Sequence, residues 1–438
     1  MAERLIRGYR ALVLVLLPLV LLRLWWQGLA QPGYRLRWRE RLGLWRAAGA
    51  EAIRRPVWIH AVSVGEVAAA LPIIRALREW DSSLPLLLTT TTPTGRDAAE
   101  RQLGRSVVHA MFPYDASFVL RRFFRRYQPR ALLIMETELW PNLVSHCAAC
   151  NVPVVVLNAR LSARSAERYA RFPHLTAGTL RALTAVLAQS GDDAERFIAL
   201  GATPAQVHEV GSLKFDVSMP PSLREEAAAM RRVLGEHRLI LMAGSVREGE
   251  ERRVFDIYLR LRQDFADLVL MIAPRHPSRF EDAVALARET GLRVGRRSAG
   301  APGDGQGLDI LVLDSMGELP RFYAAADVAL VGGSLAPLGG QNMLEPAALG
   351  VPVVVGPHLH NFAEIARRLE AGGALRIGRD DQAIIEHARF WLSDGEARDR
   401  AGAAARCIVD ENRGATSRTL TFLQPLLHRC DAPPADAG

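Results

Sequence analysis

From about residue 56 onward the chain alternates short apolar runs with longer stretches of helical spacing. VWIHAV, LPLLLTT, VVHAMF, ALLIM, VPVVVL and TAVLAQ are apolar on both faces, which predicts buried parallel strands rather than half-exposed ones. Between them, EVAAALPIIRALREW and PNLVSHCAAC have the spacing of helices. GSLKFDVSMPPS (211–222) breaks the rhythm with Gly, Ser and a Pro pair and reads as a linker. The alternation then restarts with RLILMAG, DLVLMIAP, DILVLD, DVALVGG and VPVVVG. The expected fold class is α/β, with two doubly wound, Rossmann-like lobes spanning 51–215 and 216–430 and a disordered tail at 431–438. Ligands of such lobes belong at the carboxyl ends of the strands, here in a cleft between the two.

The first 50 residues follow a different pattern. ALVLVLLPLVLL (11–22) is an uninterrupted apolar run, but its 12 residues fall short of the roughly 20 that a spanning helix needs. Arg7 and Arg10 precede it; Arg23, Trp25 and Trp26 follow. A cleaved signal ending near Ala30 fits the length, yet Arg35, Arg37, Arg39, Arg41 and Arg46 lie just beyond, and such charge stays cytoplasmic. The favoured reading is an anchor lying in the inner leaflet, with its Trp pair at headgroup level and its arginines on anionic lipid.

At 438 residues the chain has room for two cores, and 49% hydrophobic content supplies them. The net charge of +8 suits a phosphate-rich or membrane-surface partner. Of 55 basic residues only Lys214 is a lysine, which marks a place where a compact ammonium does what a planar guanidinium cannot, unless it is a chance survivor. Four cysteines are too few for a disulfide framework; Cys147 and Cys150 form a lone CxxC without the second pair a zinc site wants.

Five segments carry chemistry. VGGSLAPLGGQNMLEPAALG (331–350) follows a strand. Gly339 and Gly340 permit close backbone approach, a helix expected near Gln341 would aim its N–H groups at phosphate, and Glu345 could accept from ribose. Arg275 and His276 close the strand DLVLMIAP, as a phosphate-gripping pair or a solvated loop. DSMGELPRFY opens a helix at Gly317 and Glu318. In the first half, Ser63 is a candidate N-cap and Glu66 lies in the first helical turn, either complementing the dipole or serving as a base kept ionised by it. Glu136 and Glu138 follow ALLI; if extended, only one would face the cleft. No DxD occurs, which removes the usual anchor for a metal-bridged diphosphate donor.

HAVSVGE (60–66), METELWP (135–141), LNARLSARS (157–165), GSLKFD (211–216), APRHP (273–277) and GGS…GGQNMLEPA (332–347), in that order, resemble the lipid A-specific 3-deoxy-D-manno-octulosonic acid (Kdo) transferases of lipopolysaccharide synthesis. The resemblance runs from the anchor to about residue 420 and implies a GT-B fold at the cytoplasmic face of the inner membrane. It also implies a CMP-Kdo donor, a phosphorylated lipid A precursor (lipid IVA) as acceptor, inverting transfer, and neither metal, cofactor nor nucleic acid. By resemblance Glu66 is the general base, and Glu136 and Lys214 stabilise the transition state. Arg275 and His276 meet the CMP phosphate, Met316, Gly317 and Glu318 lie near the nucleotide, and Asn342, Met343, Leu344 and Glu345 hold phosphate and ribose. Gln341 departs from the family pattern, where histidine is common. RRFFRR (121–126) is either a grip on acceptor phosphates or a solvated helix face. Two rivals remain: another GT-B enzyme using a uridine nucleotide, and an exported two-lobed binding protein.

Overall fold

The computed structural model describes residues 2–45, 53–217, 219–220, 222–300 and 307–431; Arg46, Ser218 and Pro221 of the linker, and the tail from 432 lie outside them. Two compact units divide the chain, Met1–Asp216 with Arg413–Gly438, and Val217–Asn412.

The first unit holds β1 (Val57–His60), β2 (Leu86–Thr90), β3 (Val108–Met111), β4 (Ala131–Met135), β5 (Val154–Ala159), β6 (Ala185–Ala188) and β7 (Val207–Glu209) in the order β3-β2-β1-β4-β5-β6-β7. All pairs are parallel; β1 sets the frame, with Val57 opposite both Leu86 and Ala131. Because the order reverses between β1 and β4, the loops after these strands diverge and leave a crevice at their carboxyl ends. The sheet is buried on both faces. One face packs against Val64–Trp80 through Val67, Ile73, Ile74 and Leu77, the other against Ser117–Tyr127 and Pro141–Ala149 through Phe123, Leu143 and Val144.

The second unit repeats the plan with β8 (Ile240–Val246), β9 (Val269–Pro274), β10 (Val294–Arg296), β11 (Ile310–Val312), β12 (Val328–Val331), β13 (Val353–Val355) and β14 (Leu375–Ile377), ordered β10-β11-β9-β8-β12-β13-β14. Its reversal lies between β8 and β12.

Two expectations need correction. The second lobe does not run to residue 430: the chain returns at Arg413, and helix Ala415–Asp431 inserts Ala415, Leu423 and Leu427 into the core that also buries Val64–Trp80. Asp216 fastens this return by accepting from the backbone N–H groups of Gly414 (2.6 Å) and Thr416 (2.5 Å). The anchor is also longer than its uninterrupted run. Ala2–Ala30 is one helix, and Leu5–Leu29 is apolar enough to cross a membrane by length and composition.

This helix is not detached from the lobe. Ile6, Tyr9, Arg10, Val13, Leu17, Leu21, Leu24, Gln27 and Gly28 are its less exposed positions among the described side chains, a three-to-four spacing that defines one face along its length. That side meets Pro141–Ala149 and Pro173–Arg181, while Leu12, Val15, Leu19, Leu22, Trp25 and Trp26 point outward. Polar ties fix its first half: Tyr9 Oη donates to Asp115 (2.9 Å), and Arg10 donates to Asn142 Oδ1 (3.0 Å) and Ser145 Oγ (3.3 Å). Of the arginines assigned to lipid, Arg41 is misplaced: it is buried and donates to the Thr91 carbonyl (2.6 Å), so it braces the lobe.

Candidate active site

In the first lobe the site begins where β1 ends. Ser63 caps Val64–Trp80 by accepting from the Glu66 N–H, and the Glu66 carboxylate reaches back to accept from the Val62 N–H (2.8 Å). The two hydrogen bonds run in opposite directions between the helix's first turn and the residues before it, and they fix the carboxylate at the β1–β4 reversal. The sequence expectation that the helix N-terminus keeps Glu66 ionised is not met: burial pushes its pKa up to about 8, and the nearby charges of Glu136 and Glu138 add to the rise against the Val62 and Ser63 hydrogen bonds. A base with a pKa near working pH is well matched to taking a proton from a hydroxyl.

Nor do Glu136 and Glu138 separate as an extended chain would make them. Glu136 has φ +58, the left-handed region, so the backbone turns there and both carboxylates act on Glu66. Burial raises the pKa of Glu138, with Glu136 adding to it. Lys214 Nζ lies 3.4 Å from Glu136 Oε1. It is carried on a one-turn segment, Leu213–Phe215, whose flanking side chains are buried. Asn158 holds this segment, its Oδ1 accepting from the Leu213 N–H (3.0 Å). Asn158 is fully buried and has φ +51. Sequence reasoning quoted the LNARLSARS motif without seeing this role; the signal available was an asparagine at the end of an apolar strand, where only a left-handed turn or a polar partner accounts for it.

In the second lobe, Arg275 and His276 follow β9, as expected, with the Arg275 N–H bound to Val246 O (2.8 Å). Arg275 lies close enough to Glu345 that its charge lowers the carboxyl pKa, as does the Asn342 side-chain hydrogen bond (3.0 Å), while burial raises it and dominates. Arg275, Asn342 and Glu345 are thus brought together. The helix expected near Gln341 starts later, at Leu344, and ends at Ala348; Asn342 Oδ1 caps it by accepting from the Leu344 N–H (3.1 Å). Pro346 fits this later start: it falls third in the helix, where its missing N–H forfeits no intrahelical bond. Met343 and Leu344 have fully buried side chains, so only their backbones remain available to a ligand. Glu318 is held by Arg297 (3.0 Å) and Arg321 (2.6 Å), which leaves the Gly317 backbone (φ +85) and the exposed Met316 as this loop's free surface.

The glycine loop has an organiser that sequence reasoning missed. Glu250, fully buried, accepts from four backbone N–H groups: Arg247 (2.9 Å) and Gly333 (2.7 Å) at Oε2, Leu335 (2.9 Å) and Ala336 (3.0 Å) at Oε1. It therefore ties the loop after β8 to the loop after β12 across the reversal. Gly332 permits this closeness, because a Cβ there would sit 2.6 Å from Ser245 O. Glu250→Gln presents an NH2 group to two donors. The expected cost is about 3–5 kcal/mol, read as a fall of roughly 10 °C in the thermal transition of the second lobe and loss of nucleotide-dependent stabilisation.

Among the described residues no group of three or more His, Cys, Asp and Glu is arranged to hold a metal ion.

Two parallel seven-stranded lobes with these loops place the protein among glycosyltransferases of the GT-B type. The fold is shared with UDP-GlcNAc 2-epimerase from Neisseria meningitidis, at 14% identity and a TM-score of 0.56 over 84% of this chain and 100% of that one. A profile described as 3-deoxy-D-manno-octulosonic-acid transferase (kdotransferase) matches residues 36–217, and one for glycosyl transferases group 1 matches 307–407. The 3-deoxy-D-manno-octulosonic acid transferase of Bordetella pertussis is 39% identical over 94% of this chain and 97% of its own length; that of Haemophilus influenzae is 35% identical over 96% and 98%. The chain belongs to the Kdo transferase family, glycosyltransferases of lipopolysaccharide biosynthesis.

Proposed function

We propose that the chain transfers Kdo from CMP-Kdo to a lipid A precursor, lipid IVA, by a metal-independent inverting displacement at the cytoplasmic face of the inner membrane. The observation that carries this reading is the Glu66 carboxylate, held by the Val62 N–H at the first lobe's strand reversal beside Glu136, Glu138 and Lys214. Glu66 takes the proton of the acceptor hydroxyl as its oxygen attacks the anomeric carbon of Kdo. The bond to the CMP phosphate breaks, and its electron pair leaves with CMP. Lys214 and Glu136 hold charge at the reacting sugar acid; Arg275 and His276 receive the phosphate. The backbones at Met316, Gly317, Glu318, Met343 and Leu344 border the nucleotide, with Asn342 and Glu345 at the ribose. The outward apolar face of Ala2–Ala30 supports the membrane assignment.

Incubation with CMP-Kdo and lipid IVA, followed by mass spectrometry of the lipid, tests the reading directly: one or more Kdo additions are expected, and an unmodified lipid sinks it. Thermal titration separates the uridine-nucleotide rival, since only the true nucleotide stabilises the fold. CMP is expected to raise the transition and UDP to leave it unchanged.

A further inference from the structure

A recess of about 140 Å³ opens in the first lobe, lined by Arg10, Ser117, Leu120, Arg121, Asn142 and His146. That volume holds several waters or one tetrahedral anion. Its walls come from three elements: the apolar N-terminal helix supplies Arg10, the first turns of Ser117–Tyr127 supply Ser117 and Arg121, and Pro141–Ala149 supplies Asn142 and His146. Both shorter helices follow strands, β3 and β4, so their N-termini lie at the sheet edge that carries Glu66.

The lining includes two arginines and a histidine but no acid. The neighbouring carboxylate, Asp115, is occupied by Tyr9 Oη and by the N–H groups of Asn142 (3.1 Å) and Leu143 (2.7 Å); burial pushes its pKa up to about 7 against the pull of Arg10, so it offsets Arg10 only in part. Burial depresses the His146 pKa, and Arg121 and Arg10 add to it, as positive charge beside an imidazole does. Arg10 is fixed in place by Asn142 and Ser145, using two of its five N–H groups. A fixed guanidinium, a second one opposite and a hydroxyl suit a phosphate monoester better than a carboxylate, whose two oxygens one fork already satisfies.

We infer that this recess binds a phosphate monoester carried by the lipid acceptor. The argument for a lipid-borne group is that Arg10 belongs to the helix whose outward residues, Leu12, Leu14, Val15 and Leu16, are exposed and apolar. A headgroup held here hangs from acyl chains lying along that helix. The inference rests on the proposed acceptor, and it assigns to one arginine of RRFFRR, Arg121, the phosphate-gripping role; Phe123 and Phe124 of the same segment are core.

The test uses the full chain and no donor. Flotation is measured with phosphatidylcholine vesicles carrying lipid IVA, dephosphorylated lipid IVA, or phosphatidylglycerol at equal charge. Wild type is expected to prefer the phosphorylated over the dephosphorylated lipid by about ten-fold, and Arg121→Gln to reduce that preference to about two-fold. Arg121 is exposed, so an unchanged thermal transition shows that the variant is folded. A preference unchanged in Arg121→Gln overturns the inference. So does an equal loss of phosphatidylglycerol binding, which makes the recess a site for bulk headgroups. Stabilisation of wild type by inorganic phosphate alone, lost in Arg121→Gln, assigns the recess to a soluble anion and overturns the lipid-borne source. Kdo transfer by wild type, measured separately after CMP-Kdo is added to the same vesicles, reports on the function: its absence defeats the acceptor reading while phosphate preference is scored independently.

Discussion

Glu66→Gln is expected to lower kcat about 10³-fold while CMP still raises the thermal transition as it does in wild type. Proton transfer by a placed base contributes about 10²–10⁴-fold, and the Glu66 carboxylate is the one held in place by the backbone N–H that ends β1. Glutamine keeps the shape and one carbonyl acceptor for the Val62 N–H, so the turn survives and the loss reads as chemistry rather than unfolding. Donor binding is expected to persist because the groups assigned to CMP lie in the other lobe. The pH profile gives a second readout. Only ionised Glu66 accepts a proton, and with a pKa of about 8 roughly a tenth is ionised at pH 7. Wild-type kcat/KM should therefore climb about ten-fold per pH unit up to about 8 and then level. Near-normal turnover by Glu66→Gln, or a flat wild-type profile from about pH 6 to 9, would show that the base is another group.

The parts of this fold that could be read in the sequence are those whose information is local. Strands with four or more buried apolar residues, such as ALLIM at β4 and DLVLMIAP at β9, announce themselves because both faces of a central parallel strand are buried. β7, β10 and β14 do not: each is three residues long, and His208, Glu209, Arg296 and Arg376 interrupt any apolar signature. The return of the chain at Arg413 was hidden for a different reason. Its amphipathic stripe says that Ala415–Asp431 buries a face, but not against which lobe; that is decided by Asp216, some 200 residues earlier in sequence.

The site divides in the same way. Glu66, Arg275 and Lys214 stood out because strand ends and a lone lysine are visible one residue at a time. Glu250 and Asn158 were silent, since each acts on backbone far away in sequence: Glu250 on Gly333, 83 positions on, and Asn158 on Leu213, 55 positions on. The late start of Leu344–Ala348 was legible in principle from Pro346. The consequence is chemical: with only a five-residue helix behind it and the Gly340 N–H bound to Gly333 O (2.7 Å), the glycine loop has little helix dipole to offer the proposed phosphate.

Lys214→Ala is expected to lower kcat by about 10²–10³-fold, the range for removing one preorganised charge at a transition state, and Lys214→Arg by about 10–10² despite keeping the charge. The ammonium sits 3.4 Å from Glu136 on a one-turn segment whose backbone is pinned at Leu213 by Asn158 and at Asp216 by the returning helix. A guanidinium is longer and planar, and it presents its donors as a fork, so it cannot place one point donor where the ammonium does without moving that pinned segment. The pair also bears on the base. The Glu136 charge helps hold the Glu66 pKa up, so Glu136→Gln should shift the rising limb of the pH profile to lower pH even as the plateau falls. Steady-state rates for the three variants across that range decide the matter. Lys214→Arg with unchanged kcat would make the lone lysine an accident of composition. A limb that stays in place in Glu136→Gln would separate Glu136 from Glu66 and remove the electrostatic link between the two carboxylates.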